Sequence, residues 1–212
     1  DAGSYAKENK NWFVPMGESY ETTARNNRDL IRNRARDLER NSDMAKSVVH
    51  AFRRNVVGAG FRLQSRTGKA NFNAEIEKAW RKWTKARNCD VTGQQSFSQM
   101  LRMAVERKKI DGGILFRKCY TPGGFIPFKL QAIEVDELDV SQYMPKNPAN
   151  RVVDGVEYDA YNKPVGYWIR QYSIDGYQLL EPVYVDAKDI IFYFQKNRPS
   201  QVREVSDMAP TI

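Results

Sequence analysis

Ser42 to Leu63, SDMAKSVVHAFRRNVVGAGFRL, decides how the rest of the chain is read. Ser42 or Asp43 can cap a helix, because either side chain accepts from the free amides of a first turn. Ala45, Val48, Val49, Phe52 and Val56 then recur at helical spacing on one face. Gly58 and Gly60 flank Ala59, and either glycine can take the positive φ that ends a helix. Phe61 and Leu63 alternate with Arg62 and Gln64, which predicts a strand. The expectation is a helix that breaks at two glycines and turns into a sheet, with Gly58 and Gly60 as a structural hinge. Gly-Ala-Gly does not make a dinucleotide loop here. It follows a helix rather than a strand, and Leu63 stands at the third glycine position.

Upstream, Thr22 to Arg40 predicts another helix. Ala24, Leu30, Ile31, Ala35 and Leu38 gather on one side of it. Arg25, Arg28, Arg32, Arg36 and Arg40 recur every three or four residues and form a ridge on the other side. Two readings of the ridge stay open. It is a solvated face laced with local ion pairs, to Asp29 and Glu39 for example. Or it meets phosphate or an acidic neighbouring subunit, for which planar, two-pronged guanidinium groups are well suited. Residues 1–21 read as an arm, broken by Asn9, Asn11, Pro15 and Gly17 but carrying Trp12, Phe13, Val14 and Met16, so docking on its own body or on a neighbour is expected.

Downstream, Asn73 is expected to cap a third helix whose buried stripe is Ile76, Ala79, Trp80 and Trp83. The tryptophans are read as core, although aromatics interleaved with bases can also stack on nucleic acid. Ser96 opens a fourth helix with Phe97, Leu101, Ala104 and Val105 inward. After Asp111-Gly112-Gly113 the pattern changes to strands. Ile114–Tyr120 and Phe125–Ala132 predict a hairpin around Thr121-Pro122-Gly123-Gly124. Val152–Asp159 and Val165–Tyr172 predict a second, and Val183–Val185 and Ile190–Phe194 two further strands. The fold class expected is α+β, a helical N-terminal half packed with a mostly antiparallel sheet. Residues 22–110 form the helical part, 111–198 the β-rich part and 199–212 an extended tail.

Composition narrows the function. With 212 residues, one large domain or two small ones is expected, and 12% aromatic content argues against disorder. Charge is uneven: residues 1–110 carry a net +11 and residues 111–212 a net −3, which together make the chain's +8. A basic half beside an acidic half suits polyanion contact or self-association. Ile190–Phe194, the longest strongly apolar run, is far too short to span a bilayer, so no membrane partner is expected. The N-terminus has no apolar signal core. Cys89 and Cys119 give neither a disulfide framework nor a metal spacing. His50, the lone histidine, sits between core positions without a nucleophile motif. Glu134, Asp136, Glu137 and Asp139 lack the spacing and the glycine of a calcium loop. No catalytic residue, metal or cofactor is assigned, and a structural or interaction protein is expected rather than an enzyme.

Several segments together resemble the portal proteins of tailed bacteriophages, in their lambda-type branch. They are Arg36-Asp37-Leu38, Arg40-Asn41, Asn55-Val56-Val57-Gly58 and Gly60-Phe61-Arg62-Leu63. Phe97, Asp111-Gly112 and Gly155-Val156-Glu157-Tyr158-Asp159 follow, then Pro164-Val165 with Tyr167-Trp168, Ile190-Ile191, and Arg198-Pro199-Ser200-Gln201-Val202-Arg203. Their order holds over about residues 25–212. Two departures stand out: Gly113 where the family usually has glutamate, and Glu204 where it usually has glycine. The resemblance implies the outer, wing-like part of a ring-forming, usually dodecameric protein at the unique capsid vertex, in the virion, assembled in the bacterial cytoplasm. Double-stranded DNA would pass through the ring without sequence preference at packaging and ejection. Terminase large subunit, major capsid or scaffold protein and head-tail connector proteins would surround it. Stem, clip and tunnel loop would lie beyond Ile212, on a chain that begins without an initiator methionine as a trimmed piece would. The alternative is a free-standing, sequence-independent nucleic-acid-binding domain.

Overall fold

The computed structural model describes residues 17–211. The expected N-terminal arm falls mostly on residues outside these. The described residues form six helices: α1 (Tyr20–Ala24), α2 (Arg28–Asn41), α3 (Asp43–Val57), α4 (Ala70–Trp83), α5 (Ala86–Cys89) and α6 (Phe97–Ile110). They also form seven strands: β1 (Gly113–Tyr120), β2 (Phe128–Ile133), β3 (Arg151–Val153), β4 (Val156–Tyr158), β5 (Pro164–Ile169), β6 (Val183–Asp186) and β7 (Ile190–Phe194). The class is α+β, as the sequence predicts. One antiparallel sheet has the order β2-β1-β7 and the other β3-β4-β5-β6.

Three layers result, because each apolar face needs a cover. Strand alternation splits the β2-β1-β7 sheet. Ile114, Phe116 and Leu130 face the helices, where they pack with Trp83, Cys89, Met100 and Ala104. Leu115, Ile133 and Ile190 face the second sheet, against Val156, Tyr167, Ile169 and Val185. A smaller cluster, Ala35, Val49 and Ile110 with Met208 against it, holds α2, α3 and α6 together.

Local chemistry sets the element ends. Ser42 caps α3, its Oγ accepting from Ala45 N. Ser96 and Gln99 form a capping box on α6. Between β3 and β4, Asp154 and Gly155 both take positive φ (49° and 81°), the two-residue turn that matches strand twist. This tight hairpin divides the stretch expected as one strand from Val152 to Asp159.

Four expectations are corrected. The helix expected from Thr22 to Arg40 is broken at Arg25–Asn27 into α1 and α2. Asn73 does not cap α4; it lies within the helix and holds the preceding loop, accepting from Thr67 N at 2.8 Å. Phe61–Leu63 is not a strand. Gly58 and Gly60 do take positive φ (53° and 97°), but the chain then stays irregular, pairs with no sheet and enters α4. The passage from helices to sheet is made at Asp111-Gly112 instead, where α6 runs into β1. Finally, the α3 stripe is divided. Val49 and Val57 are buried, while Val48, Phe52 and Val56 face outward with Met44, because α2 and α6 cover only one side of the helix.

Candidate functional site

Helix α2 buries arginines. Arg28 and Arg32 are each only 5% exposed, while Leu30, expected inward, is 49% exposed. The ridge therefore faces the protein at Arg28, Arg32 and Arg36, on the same side as Ala35. Carboxylates from the β-rich half reverse the expected orientation. Arg28 Nη1 donates to Asp154 Oδ2 at 2.8 Å and its Nε to the Glu204 carbonyl at 3.0 Å. Arg32 Nη1 donates to Glu204 Oε1 at 3.3 Å, and its Nε lies 3.1 Å from Asp136 Oδ1. Arg36 Nε donates to Asp111 Oδ1 at 2.7 Å, and its Nη2 to Asp136. Arg25 reaches Asp154 Oδ1 at 2.8 Å with its side chain 57% exposed, and Arg40 is 66% exposed beside Asp37.

The other half of this network is the segment expected to leave as an extended tail. Residues 201–206 instead run through the interior. Gln201, Arg203, Glu204 and Ser206 are all buried. Arg203 and Glu204 form a two-pronged pair, Nε to Oε2 at 2.8 Å and Nη2 to Oε1 at 2.9 Å. The remaining Arg203 donors go to the Asp154 carbonyl at 2.9 Å and the Val135 carbonyl at 3.0 Å. Glu21 of α1 accepts from Val202 N and Arg203 N, at 2.7 and 3.1 Å, and pairs with Arg28. Tyr158 donates its hydroxyl to the Val202 carbonyl at 3.1 Å.

Burial by itself would lower the pKa of Arg203, but the charge and hydrogen bonds of Glu204 outweigh it, so the guanidinium is held more firmly protonated. Arg36 is raised in the same way: desolvation opposes the charge, and hydrogen bonds to Asp111 and Asp136 outweigh it. The network is thus a permanent set of ion pairs, and a buried arginine stripped of its partner would be strongly destabilising.

Gly112 makes the close approach of this segment possible. Its φ is +90°, and a Cβ there would lie 2.4 Å from the Val205 carbonyl carbon. Asp136, one of the four clustered acids, is taken up by Arg32 and Arg36. Asp139 accepts from Ser141 in its own turn. Among the described residues, no three His, Cys, Asp or Glu side chains converge as metal ligands. Trp83 is buried, its Nε1 donating to the Phe128 carbonyl at 2.8 Å, and it packs with Trp80 and Phe97, as the core reading of the tryptophans requires. Asp154 was not singled out from sequence, although an Asp-Gly pair is a turn signal that could have found it; Glu204 stood out only as a departure from the family's usual glycine.

The geometry defines a scaffold, in which both ends of the described chain are sewn into a layered body by internal ion pairs. The chain belongs to the lambda family of phage portal proteins, whose family model matches residues 5–212. It is also 33% identical over 186 residues to a probable portal protein of Halomonas phage phiHAP-1. That alignment covers 82% of this chain and 36% of the relative, so the chain spans about a third of that protein's length.

Proposed function

We propose that the chain is the wing part of a phage portal subunit, one protomer of a twelve-membered ring at the unique capsid vertex of the virion. Double-stranded DNA passes through the ring during packaging and ejection, held by sequence-independent contacts with phosphate. Terminase large subunit, capsid or scaffold protein and head-tail connector proteins dock around it, and assembly takes place in the bacterial cytoplasm. The observation that carries the reading is the family match along residues 5–212. The chain's contribution is shape and packing rather than catalysis. No helix among the described residues is long and apolar enough to cross a membrane.

Of the arginine ridge, Arg25 and Arg40 keep enough exposure to meet DNA phosphate or a neighbouring subunit; Arg28, Arg32 and Arg36 are occupied within the chain. Gly58 and Gly60 act as a structural hinge between α3 and the loop into α4. The alternative, a free-standing nucleic-acid-binding domain, is disfavoured because Trp83 is buried in the core and Trp80, partly buried, packs against it rather than standing out to stack on bases.

Negative-stain imaging and sedimentation of the purified protein test the proposal. Rings with a central hole are expected. Uniform monomers holding DNA tightly, with affinity falling steeply as salt rises, would overturn it in favour of the binding domain.

A further inference from the structure

The ion pairs of α2 close within one chain, so the contact between subunits has to be sought elsewhere. Two surfaces lack a partner among the described residues. The first is a protruding hairpin between β5 and β6. Ser173 N donates to the Gln178 carbonyl at 2.7 Å and Leu180 N to the Gln171 carbonyl at 2.8 Å. Arg170 Nε donates to the Leu180 carbonyl at 2.9 Å. At the turn Gly176 takes a φ of +77°, and Asp175 accepts from Tyr177 N. The tip is therefore well braced, yet Ile174 is fully exposed and Tyr177 is 91% exposed. From Gln171 to Val183 there is no lysine or arginine, while Asp175 and Glu181 are both exposed.

The second surface is a groove of about 300 Å³ between the end of α3, α6 and the helix-facing side of β7. Val56, Phe61, Leu101, Ile191 and Tyr193 help to line it, and its walls are almost wholly apolar. Val56, Phe61, Ile191 and Tyr193 are each roughly half exposed. Arg54 and Arg62 neighbour Val56 and Phe61 in sequence, and Arg102 Nη2 donates to the Gly58 carbonyl at the end of α3 at 2.8 Å; none of the three has a carboxylate partner among the described residues.

Strand alternation puts the two surfaces on opposite sides of the β2-β1-β7 sheet. Ile191 and Tyr193 of β7 face the groove, whereas Ile190 and Phe192 face the core shared with Ile169 and Val185, from whose strands the hairpin springs. A chain cannot fill its groove with its own hairpin, because the sheet stands between them. A second copy can. We propose that Ile174 and Tyr177 of one copy insert into the groove of the next, with Asp175 and Glu181 meeting the basic edge. Two different patches that meet in this way make a head-to-tail contact, which closes into a ring when the rotation allows. Exposed apolar side chains at a braced tip suit such an anchor. This contact rests on the ring reading above and names the interface for it.

Cysteine cross-linking tests the contact in a Cys119→Ser background, Cys89 being buried. With Ile174→Cys and Val56→Cys on one chain, a maleimide cross-linker should give a ladder of dimers, trimers and larger species. An equal mixture of the two single variants should give dimers only, since each chain then has one reactive surface. Ile174→Asp should weaken association at least tenfold without lowering the melting temperature. Oligomers in which positions 174 and 56 fail to cross-link, Ile174→Cys chains that link to each other, or a groove that links instead to Phe13→Cys would overturn this interface and leave the ring reading standing. Protein that stays monomeric at every concentration would overturn both.

Discussion

Two segments of the family signature are built in opposite ways. Ser42–Leu63 is rich in apolar residues, yet Met44, Val48, Phe52, Val56, Phe61 and Leu63 are exposed. Arg198–Ser206 is rich in polar and charged residues, yet Gln201, Arg203, Glu204 and Ser206 are buried. Residue type alone ranks these segments the wrong way round. A charged residue can be core when each donor and acceptor has a partner, and an apolar one can be surface when nothing in its own chain covers it. The charged segment therefore holds the chain together, and the apolar one is left uncovered by the described residues.

The sharpest way to break this contrast is Arg203→Ala or Glu204→Ala. Glu204→Ala leaves the buried Arg203 without a carboxylate, and Arg203→Ala leaves the buried Glu204 with Arg32 alone, at 3.3 Å, so either should cost about 3–5 kcal/mol in urea unfolding. A loss below about 1 kcal/mol would mean that the seam is not a structural centre. Gly112→Ala comes next, at about 2–3 kcal/mol, because a positive φ is forced on alanine and the new Cβ meets the Val205 main chain rather than a side chain that can move. Gly60→Ala should cost less, about 1–2 kcal/mol, because its Cβ would meet the Ser98 hydroxyl, 2.3 Å away, which can rotate aside. Ser98→Ala should recover part of that loss; no recovery would place the strain in the backbone alone.

The second sheet offers a pH test. Burial pushes the Tyr167 hydroxyl up to about 12 and raises that of Tyr158 as well. The ordinary tyrosine value is about 10, so the unfolded chain ionises first as pH rises. The stabilisation is complete below pH 10, and the part owed to Tyr167 is lost between pH 10 and 12, at about 1.4 kcal/mol per pH unit. Tyr167→Phe should flatten the alkaline slope of stability by one such group, and an unchanged slope would show that the hydroxyl is already open to water.

Much of the fold was legible because local patterns agreed with it. The capping serines at 42 and 96, the turn at Thr121-Pro122-Gly123-Gly124 after β1, the dense apolar run of β7, and the Trp80–Trp83 spacing each led to the right element. The misses share a cause. Helical periodicity places Arg28, Arg32 and Arg36 together on a face but does not say which way the face points. Here the answer depends on Asp111, Asp136, Asp154 and Glu204, between 75 and 172 residues away for the hydrogen-bonded pairs from Arg36 to Asp111 and Arg32 to Glu204. Nor does apolar spacing in α3 say how much of the stripe will be covered. Phe61 and Leu63 alternate as a strand would, but they pair with no strand of either sheet.

The mildest substitution tests the apolar side of the contrast. Val48 lies on the outer face of α3, 53% exposed. Val48→Thr keeps the branched shape and adds a hydroxyl that water can satisfy, so it should change unfolding free energy by no more than about 0.5 kcal/mol. The same change at Val49, 3% exposed against Ala35 and Ile110, puts a hydroxyl into a dry cluster and should cost about 1–3 kcal/mol. Urea unfolding of the two variants side by side decides the point. Equal losses would mean that the outer face of α3 is covered within the protomer. A clear difference leaves the stripe from Met44 to Val56 available for the neighbouring subunit, one helical turn after another, along the rim that leads to the groove at Phe61.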